Sequence, residues 1–298
     1  MMEHIRRKRI VEIVECGDRC FDPSSGLLHL PEEGAGGPAS SSAEAAVLCY
    51  ALGLLELAER SRQGRAEAII ARAVGDCPAS SGGGVGMVAA GMTLLLIWHR
   101  HRRILSANVS GGILGRLGRD VPVAAEGGGI REGEMGGIPA LSMAFAVGGA
   151  LEDERMMASA LDALARVRIA PCSASPDGEV RAFYLSCLYI ARTYGGESPL
   201  AHDTTGRLIR ELWAGAFGSG STGPRAYPAL VRALFENGAD VEIAGKPASD
   251  GRLLGTVNAY VVAVDRAEIP EEWVKRLRAV RGGGARQLAA HHSAICPA

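Results

Sequence analysis

Apolar residues recur along much of this chain every three to four positions, the spacing of one face of an α-helix. Segments rich in Gly, Ser and Pro separate these runs, and several runs begin directly after such a segment. Two later stretches allow strands, and the second also fits a buried helix because a short apolar run does not decide between them. The pattern predicts helices over 43–63, 66–74, 84–105, 136–151, 152–167, 179–194, 202–217, 228–238 and 271–280, with possible strands over 239–245 and 256–264.

These elements predict an all-α fold, with one helical domain over residues 1–281. A glycine linker then leads to a tail over 282–298 that we expect to be mobile. From Ser40 onward, a loop followed by an apolar helix recurs at uneven spacing. That recurrence makes an α/α toroid the alternative fold.

Composition narrows the classes of function. Hydrophobic residues make up 47% of the 298 residues and aromatic residues only 5%, so the core is expected to be aliphatic. The formal charge of -1 gives no electrostatic case for nucleic acid or an anionic membrane. No apolar stretch reaches 18 residues and the charged start has no signal-peptide core, so a cytoplasmic location without membrane spans is expected. In that compartment the seven cysteines are free thiols or metal ligands.

The segment 77–86, "CPASSGGGVG", directly precedes an apolar helix. Serine hydroxyls and bare glycine amides at a helix start can bind an anion, because unpaired N–H groups and the helix dipole point the same way. We expect Ser80, Ser81 and Gly82 to bind a substrate carboxylate here. The alternative is a flexible loop with a serine cap.

The segment 126–137, "EGGGIREGEMGG", has six glycines and three glutamates. A helix would be weak here, since each glycine costs about 1 kcal/mol relative to alanine. A bare backbone suits close approach to a ligand. A third segment, 170–193, carries Cys172 and Cys187, which could ligate a soft metal or an iron–sulfur cluster. Cys187 lies in an apolar run and also fits a core thiol.

In their order and spacing, these segments resemble the alpha chain of iron–sulfur-dependent L-serine dehydratase (L-serine ammonia-lyase). The resemblance covers about residues 20–194 and includes "DPSSGLL", "CPASSGGGVG", "AEGGGIREGEMGG" and the two-cysteine region. It implies a lyase that converts a small hydroxy amino acid to a 2-oxo acid and ammonia. It also implies a [4Fe-4S] cluster on three cysteines, whose open iron acts on the substrate hydroxyl and carboxylate, and a possible separate beta-type subunit or a homodimer.

Carried onto this chain, the resemblance makes Glu126 and Glu132 the catalytic carboxylates that line the pocket. The chain departs from the family at the cluster, because Gly129 stands where the family has its first cluster cysteine. The remaining family residues fall into two sets, with substrate binding assigned to Ser24, Ser25, Ser80, Ser81, Gly82, Gly127 and Gly128, and metal binding to Cys172 and Cys187 with Cys77 and Cys296 as possible replacements.

Three functions follow from these observations. The first is a divergent lyase of the serine dehydratase type. The second is a homologue without a cluster that binds a small acid, serves as a partner subunit or works as a metal-free lyase. The third is an unrelated α/α-toroid enzyme, against which the scarcity of aromatic residues counts. A zinc site on two cysteines would need His99, His101 or His202 nearby, although the histidines of "WHRHRR" are expected to face solvent.

Overall fold

The computed structural model describes residues 2–22, 24, 27–28, 39–75, 85–127, 135–169, 178–196 and 198–218. Within these residues the chain is almost entirely helical, so the all-α prediction is confirmed. None of the described helices is both long and apolar enough to cross a bilayer. The helices are α1 (Met2–Cys20), α2 (Ala39–Glu56), α3 (Arg60–Gly75), α4 (Val85–His101), α5 (Ala107–Gly127), α6 (Ile138–Leu151), α7 (Glu154–Arg166), α8 (Gly178–Tyr194) and α9 (Pro199–Gly218).

Two small elements accompany the helices. Strands β1 (Phe21–Asp22) and β2 (Leu27–Leu28) pair antiparallel directly after α1. A 3-10 turn, Met135–Gly137, leads into α6, which has Pro139 in its first turn. Proline is well tolerated there because the first helical amides have no partner within the helix.

The helices form two layers. The even-numbered helices α2, α4, α6 and α8 pack against one another in chain order, and each also packs against the odd-numbered helix that follows it. In α4, every residue from Met87 to Trp98 is buried, as expected for a helix that is apolar all round. By contrast, α7 buries one face through Ala160, Leu161 and Leu164. The even-numbered helices therefore form an inner layer and the helices α3, α5, α7 and α9 an outer layer.

The four inner helices run in the same direction. Glu56, the last residue of α2, contacts Arg100 in the last turn of α4. His99 of α4 stacks on Tyr194, the last residue of α8, and Gly149 in the last turn of α6 lies against the Tyr194 carbonyl. The inner helices therefore all end on one side of the bundle, which we call the turn end. They all begin on the opposite side, which we call the start end.

The layers contain an internal repeat, because α2–α5 and α6–α9 pack in the same pattern. The sequence "GRLGRD" in α5, residues 115–120, returns as "GRLIRE" in α9, residues 206–211. Leu117 and Leu208, at equivalent positions, are both fully buried. The chain thus contains a four-helix unit twice. Antiparallel hairpins with inner and outer helices are also the building unit of the α/α toroid, the alternative within the all-α class.

α1 packs against the first hairpin, mainly against its inner helix α2. The Tyr50 hydroxyl donates to Asp18 Oδ1 at 2.6 Å, and Arg65 Nη1 donates to the same oxygen at 2.8 Å. Gly17 allows this contact, since a Cβ there would lie 2.0 Å from the Tyr50 ring. Burial and the Asp18 hydrogen bond raise the pKa of Tyr50 to about 12, so the hydroxyl keeps its proton.

The predicted helix over 43–63 is wrong in its boundaries. α2 ends at Glu56 and α3 begins at Arg60, and Ala58 between them has a φ of 55°. This left-handed residue reverses the chain without a glycine. Gly64, which falls between the predicted helices 43–63 and 66–74, lies inside α3. A Cβ added there would have no neighbouring atom within 4 Å.

The pattern also missed α1 and α5, the second of which contains several glycines and Pro122. Close packing explains one of these glycines, because a Cβ on Gly112 would lie 2.9 Å from Val74 of α3. The glycine-rich segment 126–137 begins as helix, since Glu126 and Gly127 complete α5. The predicted elements over 228–238, 239–245, 256–264 and 271–280, and the tail over 282–298, lie outside the described residues.

Candidate functional site

The segments that carry the predicted chemistry connect helices at one end of the bundle. Segment 76–84 joins α3 to α4, segment 128–134 leads from α5 toward α6, and segment 170–177 joins α7 to α8. Because α4, α6 and α8 all begin at the start end, each of these connections belongs to that end. The described helix ends that flank these three segments therefore lie at the same end of the bundle, although the segments are far apart in sequence.

The described residues include few of the predicted site residues themselves. Glu126 and Gly127 form the last two positions of α5, at the start end. The predicted site residues that lie outside the described part of the chain are Ser25, Cys77, Ser80, Ser81, Gly82, Gly128, Glu132, Cys172 and Cys296, together with Gly129. Their roles remain predictions.

Ser24 lies in the turn between β1 and β2. Its backbone N–H and its hydroxyl both donate to Asp22 Oδ1, at 2.9 and 2.7 Å. The hairpin packs through Phe21 against Tyr50 of α2, with Arg65 of α3 over the Phe21 ring. Both partners are in the halves of their helices nearer the turn end, so the hairpin lies beside that half of the bundle.

Cys187 is a fully buried core thiol. It lies within α8, about 14 Å from the first residue of that helix at the usual rise per residue. Burial raises its pKa well above the usual range, which keeps the thiol protonated. Its position in the middle of α8, among the apolar residues of the core, fits the core-thiol alternative. No group of three or more His, Cys, Asp or Glu side chains within the described ranges is arranged to hold a metal ion.

The histidines lie away from the predicted metal segment. His99 and His101 are in the last turn of α4, and His202 is in the first turn of α9 with its Nδ1 3.2 Å from Arg192 Nε. All three are at the turn end, whereas 170–177 connects helices at the start end. The three histidines thus lie at the opposite end of the bundle from Arg166 and Gly178, the last residue of α7 and the first of α8, between which Cys172 falls in the sequence.

The prediction that the "WHRHRR" histidines face solvent is wrong. His101 Nε2 lies 3.1 Å from Glu56 Oε1, and its side chain is largely buried. His99 stacks on Tyr194 at 4.4 Å between ring centroids. Burial, with a contribution from Arg102, lowers the pKa of His99 to about 4. The neutral ring helps join the two repeats, because His99 belongs to the first and Tyr194 to the second.

A charged cluster that the sequence did not reveal lies toward the start end. Arg116 of α5, whose side chain is 2% exposed, donates to both carboxylate oxygens of Glu44 on α2, at 2.7 and 3.3 Å. Its Nε donates to Asp120 at 2.9 Å, and Nη1 also donates to the carbonyl of Ala73 in the last turn of α3. We call Arg116, Glu44 and Asp120 the Arg116 cluster. One guanidinium therefore joins three helices.

The cluster holds two carboxylates against one arginine. Burial alone would lower the pKa of Arg116, but the hydrogen bond and charge of Glu44, and then the charge of Asp120, raise it. Burial raises the pKa of Asp120, and the Arg116 charge offsets this only in part. The arginine is thus permanently charged, and Asp120 is the carboxyl that burial disfavours in its ionised form.

Comparison with protein-family models, with curated proteins and with solved structures gave no match. The interpretation of the start end therefore depends on the chemistry of the residues and on the geometry of the helices that carry them.

Proposed function

We propose that the chain binds a small carboxylic acid at the start end of the bundle and acts on it as a lyase of the L-serine ammonia-lyase type. The observation that supports this most is topological. Two segments with predicted serines, glycines and glutamates, and a third with Cys172, are each flanked by described helix ends at the same end of the bundle. Residues dispersed over a long stretch of sequence can then contribute to one site.

The direction of the inner helices supports an anionic ligand. A helix carries about half a positive charge at its N-terminus. Four inner helices begin at the start end and four outer helices end there, so a carboxylate is favoured beside the first turn of an inner helix such as α4 and disfavoured beside the last turns of the outer helices. We assign carboxylate binding to Ser80, Ser81 and Gly82, with Gly127 and Gly128 giving close backbone approach. Ser24 and Ser25 belong to a separate motif of the resemblance, "DPSSGLL", and the Ser24 hairpin packs beside the turn-end half of the bundle, so Ser24 is left out of this site.

Proton removal is the step that we assign to the glutamates. Glu126 or Glu132 would accept the α-proton of a small hydroxy amino acid, and the β-hydroxyl would leave as water after protonation. The resulting aminoacrylate tautomerises to an imine, which water converts to a 2-oxo acid and ammonia. This proposal places the activity in cytoplasmic amino acid metabolism, with a beta-type subunit or a second copy as the possible partner.

The [4Fe-4S] cluster of the resemblance would supply a Lewis acid for the leaving hydroxyl. The donors count against it, because Cys187 lies among apolar core residues in the middle of α8 and Gly129 replaces another expected ligand. We therefore derive no step through a cluster. The same observation favours a second candidate, a homologue without a cluster that binds a small acid.

The layer arrangement favours another candidate. Alternating inner and outer helices are compatible with an α/α-toroid enzyme, such as a glycosidase, a lyase or a terpenoid-type cyclase. Such sites usually rely on exposed aromatic rings, and aromatic residues are only 5% of this chain. We therefore rank this candidate below a small-acid site.

One experiment separates these candidates. The protein is purified without oxygen, its iron, sulfide and zinc are measured, and L-serine and related acids are tested for binding and for release of pyruvate and ammonia. Turnover with iron supports a cluster-dependent lyase, whereas turnover without metal supports a metal-free lyase. Binding without turnover supports the second candidate. If none of these acids binds, the proposal is wrong and acidic polysaccharides and prenyl diphosphates become the substrates to test.

A substitution tests the position of the site. We expect Ser81→Leu to abolish acid binding and to leave the melting temperature within about 2 °C, the shift typical of a substitution outside a packed core. Ser159→Leu, at an exposed position of α7, is the matched control and should bind normally. Equal binding by both variants would remove segment 76–84 from the site.

A further inference from the structure

Arg116 and Arg207 occupy equivalent places in the two repeats. Each follows a glycine and precedes a fully buried leucine in the related sequences "GRLGRD" and "GRLIRE". Each also has an acidic partner four residues later on its own helix, Asp120 at 2.9 Å and Glu211 at 2.9 Å. The repeat thus preserves an arginine, a buried leucine next to it and an acidic partner four residues later on an outer helix.

Both arginines also bind the end of the preceding outer helix. Arg116 donates to the Ala73 carbonyl in the last turn of α3. Arg207 donates to three carbonyls at the end of α7, those of Leu164, Ala165 and Val167, at distances between 3.1 and 3.4 Å. The last carbonyls of a helix have no partner within the helix, and a positive charge there also complements the helix dipole.

We propose that Arg116 and Arg207 are equivalent positioning residues, each of which fixes the start-end terminus of the preceding outer helix and the direction in which the chain leaves it. The link to acid binding rests on the proposed function. The fixing of the helix ends does not, because it is argued from the contacts of described residues alone.

Guanidinium geometry explains why arginine stands at both places. Its planar fork presents several N–H groups in fixed directions, so one side chain can bind a carboxylate and backbone carbonyls together. Lysine has the same charge but only one nitrogen on a flexible stem. A lysine could keep the acidic partner on its own helix and lose the contacts across to the neighbouring helix.

A crossed pair of variants tests the proposal by amide hydrogen exchange. We expect Arg116→Lys to speed exchange by about tenfold over 71–75 and to leave 162–167 unchanged, and Arg207→Lys to do the reverse. Arg100→Lys, which alters an arginine between α4 and α2 at the turn end, should change neither helix end. Each variant is thereby a control for the other.

The outcomes separate positioning from general support of the fold. Faster exchange at both helix ends in each variant, or at neither, would overturn the proposal, because a structural role predicts uniform loosening. L-serine binding is measured on the same samples. Unchanged affinity in both variants would overturn positioning for the acid site, whereas weaker affinity with crossed exchange supports it. If exchange is crossed but the protein binds no acid, the proposed function is refuted. The fixing of the two helix ends by Arg116 and Arg207 is still supported in that case.

Discussion

The two repeats use the same arginine motif in different surroundings. The side chain of Arg116 in the first repeat is 2% exposed, whereas that of Arg207 in the second is 30% exposed. The difference comes from the inner helix, since α2 contributes Glu44 to Arg116. Among the described residues of α6, none is acidic. A third partner from the inner layer allows the first arginine to be fully buried.

This comparison shows how one helix motif can have two energetic roles. A partly exposed arginine that caps a helix contributes modestly, since water competes for its hydrogen bonds. A buried arginine shared by two carboxylates cannot be removed without leaving buried charge. We therefore expect the first repeat to depend far more strongly on its arginine.

The largest expected effect tests this directly. Arg116→Met leaves Glu44 and Asp120 without their cation, and we expect a loss of about 3–5 kcal/mol in the free energy of unfolding. Arg207→Met should cost about 1 kcal/mol, because Glu211 can be solvated. Urea unfolding of both variants measures the difference. Equal losses would contradict the assignment of different roles to the two repeats.

A smaller effect concerns the join between the repeats, where His99 of α4 stacks on Tyr194 of α8. Its pKa is lowered from the usual 6.5 to about 4, so the unfolded chain binds the His99 proton more readily. Stability should therefore fall as the pH drops from about 6.5 toward 4, and be unaffected by His99 above that window.

His99→Phe keeps a ring against Tyr194 and removes the titration. We expect melting temperatures of this variant to change less between pH 7 and pH 5 than those of the wild type. His202→Phe, at an exposed position of α9, is the control and should retain the wild-type pH dependence. If the melting temperature of His99→Phe depends on pH as that of the wild type does, protonation of His99 does not affect stability.

The smallest expected effect is a gain in stability on replacing the glycine before each arginine with alanine, and it should be the same in both repeats. A Cβ on Gly115 or on Gly206 would have one neighbour, a guanidinium nitrogen of the arginine four residues on, at 3.8 or 3.5 Å. Gly115→Ala and Gly206→Ala should each stabilise the protein by about 0.5–1 kcal/mol through helix propensity. Thermal unfolding checks both, and a loss of stability in either would show that the two helix faces are not equivalent.

The apolar pattern was sufficient to predict most helices and the all-α class, since α4, α7 and α8 have clear helical spacing or uninterrupted apolar runs. It failed at α1, which is rich in charged residues, and at α5, because intrinsic propensity weighs against a glycine-rich helix. Packing outweighs that cost, as at Gly112, where a side chain would meet Val74. It also misplaced the end of α2, because nothing in the apolar pattern marks the left-handed Ala58.

The candidate site was accessible to sequence reasoning only in part. Serines, glycines and glutamates can be recognised as ligand-binding residue types, but the sequence does not show that their segments connect helices at one end. The Arg116 cluster was missed because Glu44 is distant in sequence and meets the arginine only through packing. The signal that could have indicated it is the arginine with an acid four residues later, which recurs as Arg207 and Glu211.

Contacts of α1 have a consequence for how the array of hairpins ends. An array of stacked hairpins can in principle be extended by another hairpin at either side. Asp18 of α1 occupies the Tyr50 hydroxyl and Arg65 on the first hairpin, and Gly17 brings α1 directly against the Tyr50 ring. α1 therefore covers these residues of the first hairpin, and another hairpin could stack on them only if α1 first moved away.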